Sequence, residues 1–211
     1  MLNGIFTNAG QMCWAGSRLL VQSEVKDRLL QMLVAGAKAM KLGSGLDPET
    51  RMGPLVADSH RKRVAGYVEL GLGEGATLAA GGSAPDGGAL AAGYFYSPTI
   101  LDGVEQGMKV NREEIFGPVL TVTTFDRMEE AVTKANDTEF GLWAGVWTND
   151  VRKAHRMARL IDAGIITVNE EPITFPQTPF GGFKRSGNSS EQGMDAISTY
   201  VRTKNVSINL D

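Results

Sequence analysis

The chain is poor in the residues that staple, ligate or anchor a protein. It has one cysteine, so no intrachain disulfide can form, and that suits a reducing compartment, with a cytoplasmic setting as the expectation. One cysteine and two histidines cannot assemble a Cys₄ or Cys₂His₂ zinc site, and no metal is expected. No apolar run approaches the ~20 residues that cross a bilayer, and the start of the chain lacks a basic stretch followed by an apolar one, so neither a membrane partner nor a signal peptide is expected. There is no basic excess: 21 Lys and Arg against 24 Asp and Glu leave a formal charge of −3, a poor match for a phosphate backbone, so no nucleic-acid partner is expected. What remains is 211 residues, 42% apolar, enough to bury a sizeable core, with 26 glycines placed between periodic segments as turns.

Those segments alternate between strand and helix patterns. Ser17–Ser23 reads as a strand, and Val25, Leu29, Leu33, Ala37 and Met40 then recur at helical spacing. Gly43, Gly45, Pro48, Gly53 and Pro54 break the following loop, and Ser59–Leu70 is a second helix. Thr77–Ala80 is a short strand, 83–93 a Gly/Ala/Pro-rich loop, and Phe95–Leu101 an extended stretch whose Pro98 argues for an edge or irregular strand. The β-branched run Pro118–Phe125 predicts a strand covered on both faces. Met128–Ala135 and Val151–Ile161 read as helices, Trp143–Trp147 as a buried strand, and Ile165–Val168 as another strand. Beyond the long loop 169–190, Glu191–Ser198 reads as a helix and Tyr200–Leu210 alternates like an edge strand. The alternation predicts an α/β fold, a layered and mainly parallel sheet flanked by helices. A loop as long as 169–190 is usually functional or disordered, and its aromatics and glycines favour function.

Few side chains offer chemistry. Cys13 stands in NAGQMCWAGSR, and a lone cysteine is more often inert packing than a nucleophile. Its small neighbours, Ala9, Gly10, Ala15 and Gly16, let backbone approach a ligand closely, and Trp14 would form an apolar wall. Glu113 and Glu114 precede Ile115-Phe116-Gly117-Pro118; they are either a solvated helix end or an acceptor for ligand hydroxyls such as a ribose diol, with Phe116 supporting a flat ring. The glycines of Gly71–Ala76 match GxGxxA but follow a helix and precede a strand, the wrong order for a phosphate cradle. His60 and His155 lie in charged helical patterns and read as surface residues.

Three motifs occur in order: NAGQMCWAGSR, EEIFGPVL and PFGGFKRSG. Together with Gly93-Tyr94-Phe95, Gly141-Leu142 and Val168-Asn169, they resemble the C-terminal catalytic region of NAD(P)-dependent aldehyde dehydrogenases over essentially the whole chain. The resemblance implies roles by position. Cys13 is the nucleophile, Glu114 binds the nicotinamide ribose, Phe116 lies near the nicotinamide, Trp14 and Phe180 line the aldehyde tunnel, and Glu191 stands where a proton relay is found in some members. It implies NAD or NADP as cofactor, a small aldehyde as substrate, a thiohemiacetal and a thioacyl intermediate on the cysteine, and a homo-oligomer. It divides the chain into a catalytic domain, 1–198, lacking its first strand and helix, and an oligomerisation segment at 199–211. The family's nucleotide-binding domain, its Glu-Leu-Gly-Gly motif with the general base, and the asparagine of its oxyanion site have no counterpart here. The expectation is therefore a fragment whose reaction belongs to a longer parent and which alone lacks dehydrogenase turnover. A non-catalytic remnant serving as a structural or oligomerisation module is the alternative, and a thiol protein that binds aldehydes without oxidising them is a third. Glu170 and Glu171 read as a solvated acidic turn or as an acidic tunnel mouth suited to a cationic aldehyde.

Overall fold

The computed structural model describes residues 1–211, apart from the side chain of Ala89. Its centre is a four-stranded sheet in the order β1-β4-β3-β2. β1 (Arg18–Gln22) runs parallel to β4 (Val119–Phe125), β4 parallel to β3 (Thr99–Asp102), and β3 antiparallel to β2 (Thr77–Ala80). The β-branched run forms β4 because it is interior: residues Val119–Thr123 are buried, as a strand covered on both faces must be. The helices α1 (Leu2–Phe6), α2 (Ser23–Ala39), α3 (Asp58–Gly73) and α6 (Met128–Asn136) flank this sheet, with short helices α4 (Gly88–Ala91) and α5 (Lys109–Arg112) between strands. The core joins Ile5 and Phe6 of α1, Val64 and Val68 of α3, and Ile100, Leu101 and Val122 of the sheet.

A second group of strands lies apart from that sheet. β6 (Trp143–Val146) pairs in parallel with β7 (Ile165–Val168) across α7 (Val151–Leu160). Asp150 caps α7, its Oδ1 accepting the amides of Arg152 at 2.9 Å and Lys153 at 3.1 Å. β5 (Phe140–Gly141) pairs with β9 (Phe183–Lys184), and β8 (Phe180–Gly181) with β10 (Ser190–Glu191), both antiparallel. A last short helix, α8, covers Ile197–Tyr200.

The sequence patterns misplace five features. Pro98 does not mark an edge: β3 lies between β4 and β2, and the proline sits just ahead of the strand, where its missing N–H interrupts no ladder. Trp143–Trp147 is buried only at Val146; among the described residues β6 has a single neighbouring strand, and Trp147 is exposed. The loop 83–93 contains the turn of helix α4. Glu191 is a strand residue pairing with Phe180, and the predicted helix forms only at 197–200. From Val201 onward the backbone has no regular secondary structure and is exposed; an alternating strand needs a partner edge, and none among the described residues pairs with it.

Candidate active site

The central sheet sets the site. Arg18 of β1 pairs with Thr121 of the parallel strand β4. The segment holding Cys13 enters β1 and the segment holding Glu114 and Phe116 enters β4, so both arrive at the same end of two adjacent strands. These are the amino ends, whereas open α/β sheets usually bind ligands beyond the carboxyl ends.

Tight turns fix the cysteine loop. Asn8 and Ala9 have φ of 53° and 54°, and Gly10 follows at 70°. Asn8 and Gln11 exchange two hydrogen bonds, each from a side-chain amide to the other's backbone carbonyl at 3.1 Å. The Gln11 Oε1 also accepts the Val56 amide at 2.9 Å. The Ala15 amide then donates to the Met12 carbonyl at 3.0 Å, closing a turn with Cys13 and Trp14 at its corner. Corner side chains point outward, and Cys13 is an exposed free thiol. Among the described residues its own N–H donates to no acceptor.

The second segment lies against the first. A Cβ on Gly10 would overlap the Gly117 carbonyl, so backbone meets backbone there. Phe116 has φ of 59°, a left-handed conformation worth notice in a non-glycine residue, and its ring is partly exposed. The Glu114 carboxylate is exposed and has no hydrogen-bond partner among the described residues, while its backbone carbonyl accepts from Arg63 at 2.5 Å.

The result is a cleft of about 530 Å³ whose walls include Cys13, Trp14, Glu114, Phe116, Trp143 and Glu171. Four of the six site residues expected from the sequence are thus on one cleft. Phe180 joins through its ring, edge-on to Trp14 with centroids 5.5 Å apart. Glu191 is exposed and off the cleft wall; its link is the backbone pairing of β10 with β8, which sets it opposite Phe180. Glu171 pairs with the N-terminal ammonium. No group of three or more His, Cys, Asp or Glu is placed to hold a metal among the described residues.

Several positioning contacts had no sequence signal, and one reading is corrected. His60 is not a free surface residue: it is half-buried, with Nε2 2.7 Å from the Phe116 carbonyl oxygen. His155 is exposed as expected. Asn169, at φ 55°, bridges the two parallel strands of the second group: its amide donates to Val146 O, and its side chain both accepts from and donates to the Thr148 backbone, all at 2.8 Å. The charge-rich pattern of α3 concealed His60, and nothing local to Asn169 announces a strand-end bracket.

The aldehyde dehydrogenase family pattern matches residues 1–206. The betaine aldehyde dehydrogenase of Bacillus subtilis is 44% identical over 205 residues, 97% of this chain and 42% of that protein. A putative aldehyde dehydrogenase of the same organism is 40% identical over 210 residues, all of this chain and 42% of the relative. A solved betaine aldehyde dehydrogenase variant of Staphylococcus aureus, in complex with NAD+ and with a modified cysteine, superposes with a TM-score of 0.94 at 40% identity, covering 96% of this chain and 41% of that one. An aldehyde dehydrogenase variant of Bacillus cereus gives 0.93 at 40% identity, covering 100% and 42%. The chain belongs to the aldehyde dehydrogenase family, and it spans about two-fifths of the length of the curated relatives it matches.

Proposed function

We propose that this chain supplies the nucleophile-bearing part of an NAD(P)-dependent aldehyde dehydrogenase, which oxidises an aldehyde to a carboxylic acid. The observation that carries the reading is the gathering of Cys13, Trp14, Glu114 and Phe116 on one cleft. The Cys13 thiolate adds to the aldehyde carbon, forming a thiohemiacetal. The Cys13 N–H, without another acceptor, is available to donate to the developing oxyanion. Loss of hydride leaves a thioacyl group on Cys13, which water hydrolyses to the acid and the free thiol. When bound, NAD(P) accepts that hydride.

The residues present fit such a cofactor at its nicotinamide end. The unpartnered Glu114 carboxylate is an acceptor for a ribose diol, and the exposed face of Phe116 suits a flat ring beside it. Trp14 and Phe180, packed edge to face, form the apolar wall for the aldehyde. Glu191, tied to Phe180 through the β8–β10 pair, is the relay carboxylate in this reading. Trp14 on the cleft wall favours an aldehyde bearing a cationic group, which an indole face attracts. Several relatives are named betaine aldehyde dehydrogenase, a name that fits this class.

The segment 199–211 is proposed to complete a sheet of another subunit. Val206, Ile208 and Leu210 alternate along exposed backbone that has no partner edge among the described residues. In the enzyme that carries this chain, Cys13→Ala is expected to abolish aldehyde-dependent NAD(P) reduction while the cofactor still binds. A variant keeping more than about a tenth of the parent kcat, roughly 1.4 kcal/mol of barrier, would overturn the assignment.

A further inference from the structure

One face of α3 carries His60, Arg63, Val64 and Tyr67, at the spacing that stacks side chains along a helix. All four act on five consecutive residues of a segment without regular structure, Glu113–Gly117. The Tyr67 hydroxyl donates to Glu113 Oε2 at 2.7 Å. The Arg63 guanidinium donates to the Glu114 carbonyl at 2.5 Å and also to the Ile115 carbonyl. His60 meets the Phe116 carbonyl. Val64 fills the space beside Gly117, where a Cβ would come within 2.5 Å of Val64 Cγ2.

The anchors also brace one another. The Arg63 guanidinium carbon lies 5.0 Å from the centre of the Tyr67 ring, within cation–π range. The hydrogen bond to Glu113 holds the Tyr67 phenol above its ordinary pKa, so the hydroxyl keeps its donating proton to higher pH than a free tyrosine does. Tyr67 therefore joins two grips, one on the Glu113 carboxylate and one on the guanidinium that holds the next two carbonyls. The gripped segment contains Phe116 at positive φ, a conformation that persists where its surroundings hold it.

We propose that Tyr67 is a positioning residue for the cofactor edge of the cleft: through Glu113 and Arg63 it fixes the Glu113–Phe116 segment, and so sets where the Glu114 carboxylate and the Phe116 ring stand relative to Cys13. This rests on the reading of Glu114 and Phe116 as cofactor contacts. It assigns a task to the first glutamate of the pair, which is to hold the second in place. It also gives the 60–63–64–67 face of α3 a role beyond packing.

The test compares Tyr67→Phe, Glu113→Ala and Glu113→Gln, the last of which still accepts a hydrogen bond from Tyr67. Hydrogen exchange in the enzyme that carries the chain reads the segment through the Glu113 amide, which donates to the Lys109 carbonyl at 2.9 Å, and through the buried Ile115 and Gly117. Tyr67→Phe and Glu113→Ala are expected to accelerate exchange across 113–117 by about tenfold, the scale of a lost hydrogen bond to a charged group. Exchange in α3 and β4 stays unchanged, Glu113→Gln restores most of the protection, and the Tyr67→Phe/Glu113→Ala double variant is no worse than either single one. In the enzyme that carries the chain, the NAD KM rises several-fold in Tyr67→Phe, with alkylation of Cys13 by iodoacetamide unchanged. Unchanged exchange across 113–117, or equal acceleration throughout α3 and β4, overturns the proposal. A KM unaffected by Tyr67→Phe but raised by Glu114→Gln overturns it as well, whereas a KM unaffected by Glu114→Gln overturns the cofactor reading beneath it.

Discussion

Gly10→Ala puts one methyl group where the two halves of the site meet. At φ 70°, alanine enters a left-handed conformation that costs about 1–2 kcal/mol. Its Cβ would also overlap the Gly117 carbonyl and stand 3.0 Å from Pro118 N, and neither is the end of a flexible side chain that can swing aside. Relief requires a backbone shift in the cysteine loop or in the Glu-Glu-Ile-Phe-Gly-Pro segment, an overpacking cost of about 1–3 kcal/mol. The total expected loss is about 2–5 kcal/mol. At roughly 2–4 °C per kcal/mol for a chain of this size, the melting temperature falls by about 4–20 °C. Urea denaturation of the 211-residue chain measures the stability change, and the rate of Cys13 alkylation reports whether its loop has moved. A variant within about 0.5 kcal/mol of the parent, with the same alkylation rate, would refute the close backbone approach on which the site's geometry depends.

Other perturbations probe separate links. Glu114→Gln removes a charged acceptor worth about 1.5–3 kcal/mol, so cofactor affinity is expected to fall by about 10–100-fold in binding assays of the enzyme, with Cys13 alkylation unaffected. Tyr96, buried in the core, has its phenol pushed up to about 12, chiefly by burial and secondarily by the Glu69 charge. The unfolded chain loses that proton near pH 10 while the folded chain keeps it. Stability is therefore expected to fall between pH 10 and 12 by about 2–3 kcal/mol, and Tyr96→Phe should flatten the decline in denaturation titrations. Lys26, raised chiefly by its hydrogen bond to Asp102, loses its contribution in the same alkaline direction, so Lys26→Met should remove a further part of the slope. Ile208→Asp, on the exposed tail, is expected to leave the melting temperature unchanged and to lower the oligomeric state seen by light scattering.

The central strands and longer helices are legible because their patterns are local: the β-branched run of β4 and the apolar spacing of α2 depend on little beyond themselves. Cys13, Trp14, Glu114 and Phe116 could be named from short motifs, and the parallel pairing of β1 with β4 explains why motifs a hundred residues apart share a cleft. What the sequence conceals is relational. His60 looks like any charged-helix histidine until Phe116 lies opposite it. The tail from Val201 alternates like a strand, yet a strand is a property of two chain segments, and the second is missing from this fold. Trp143–Trp147 has the composition of a buried strand but only β7 beside it, and composition does not count neighbours. The strained residues at Asn8, Ala9, Phe116 and Asn169 carry no strong local signal, because their conformations are imposed by the tertiary contacts around them.

Cys13 is the only cysteine in this sequence, so covalent catalysis by this chain can be caught on a single peptide. The enzyme carrying this chain is mixed with aldehyde and NAD(P), quenched in acid within the first turnover, digested at low pH, and the peptide spanning Cys13 is weighed. A thioester is expected on Cys13, heavier than the free thiol by the mass of the aldehyde less two hydrogens. The adduct should form only when aldehyde and cofactor are both present and should disappear as acid is produced. Turnover with the Cys13 peptide unmodified, or with the acyl group on another residue, would contradict it.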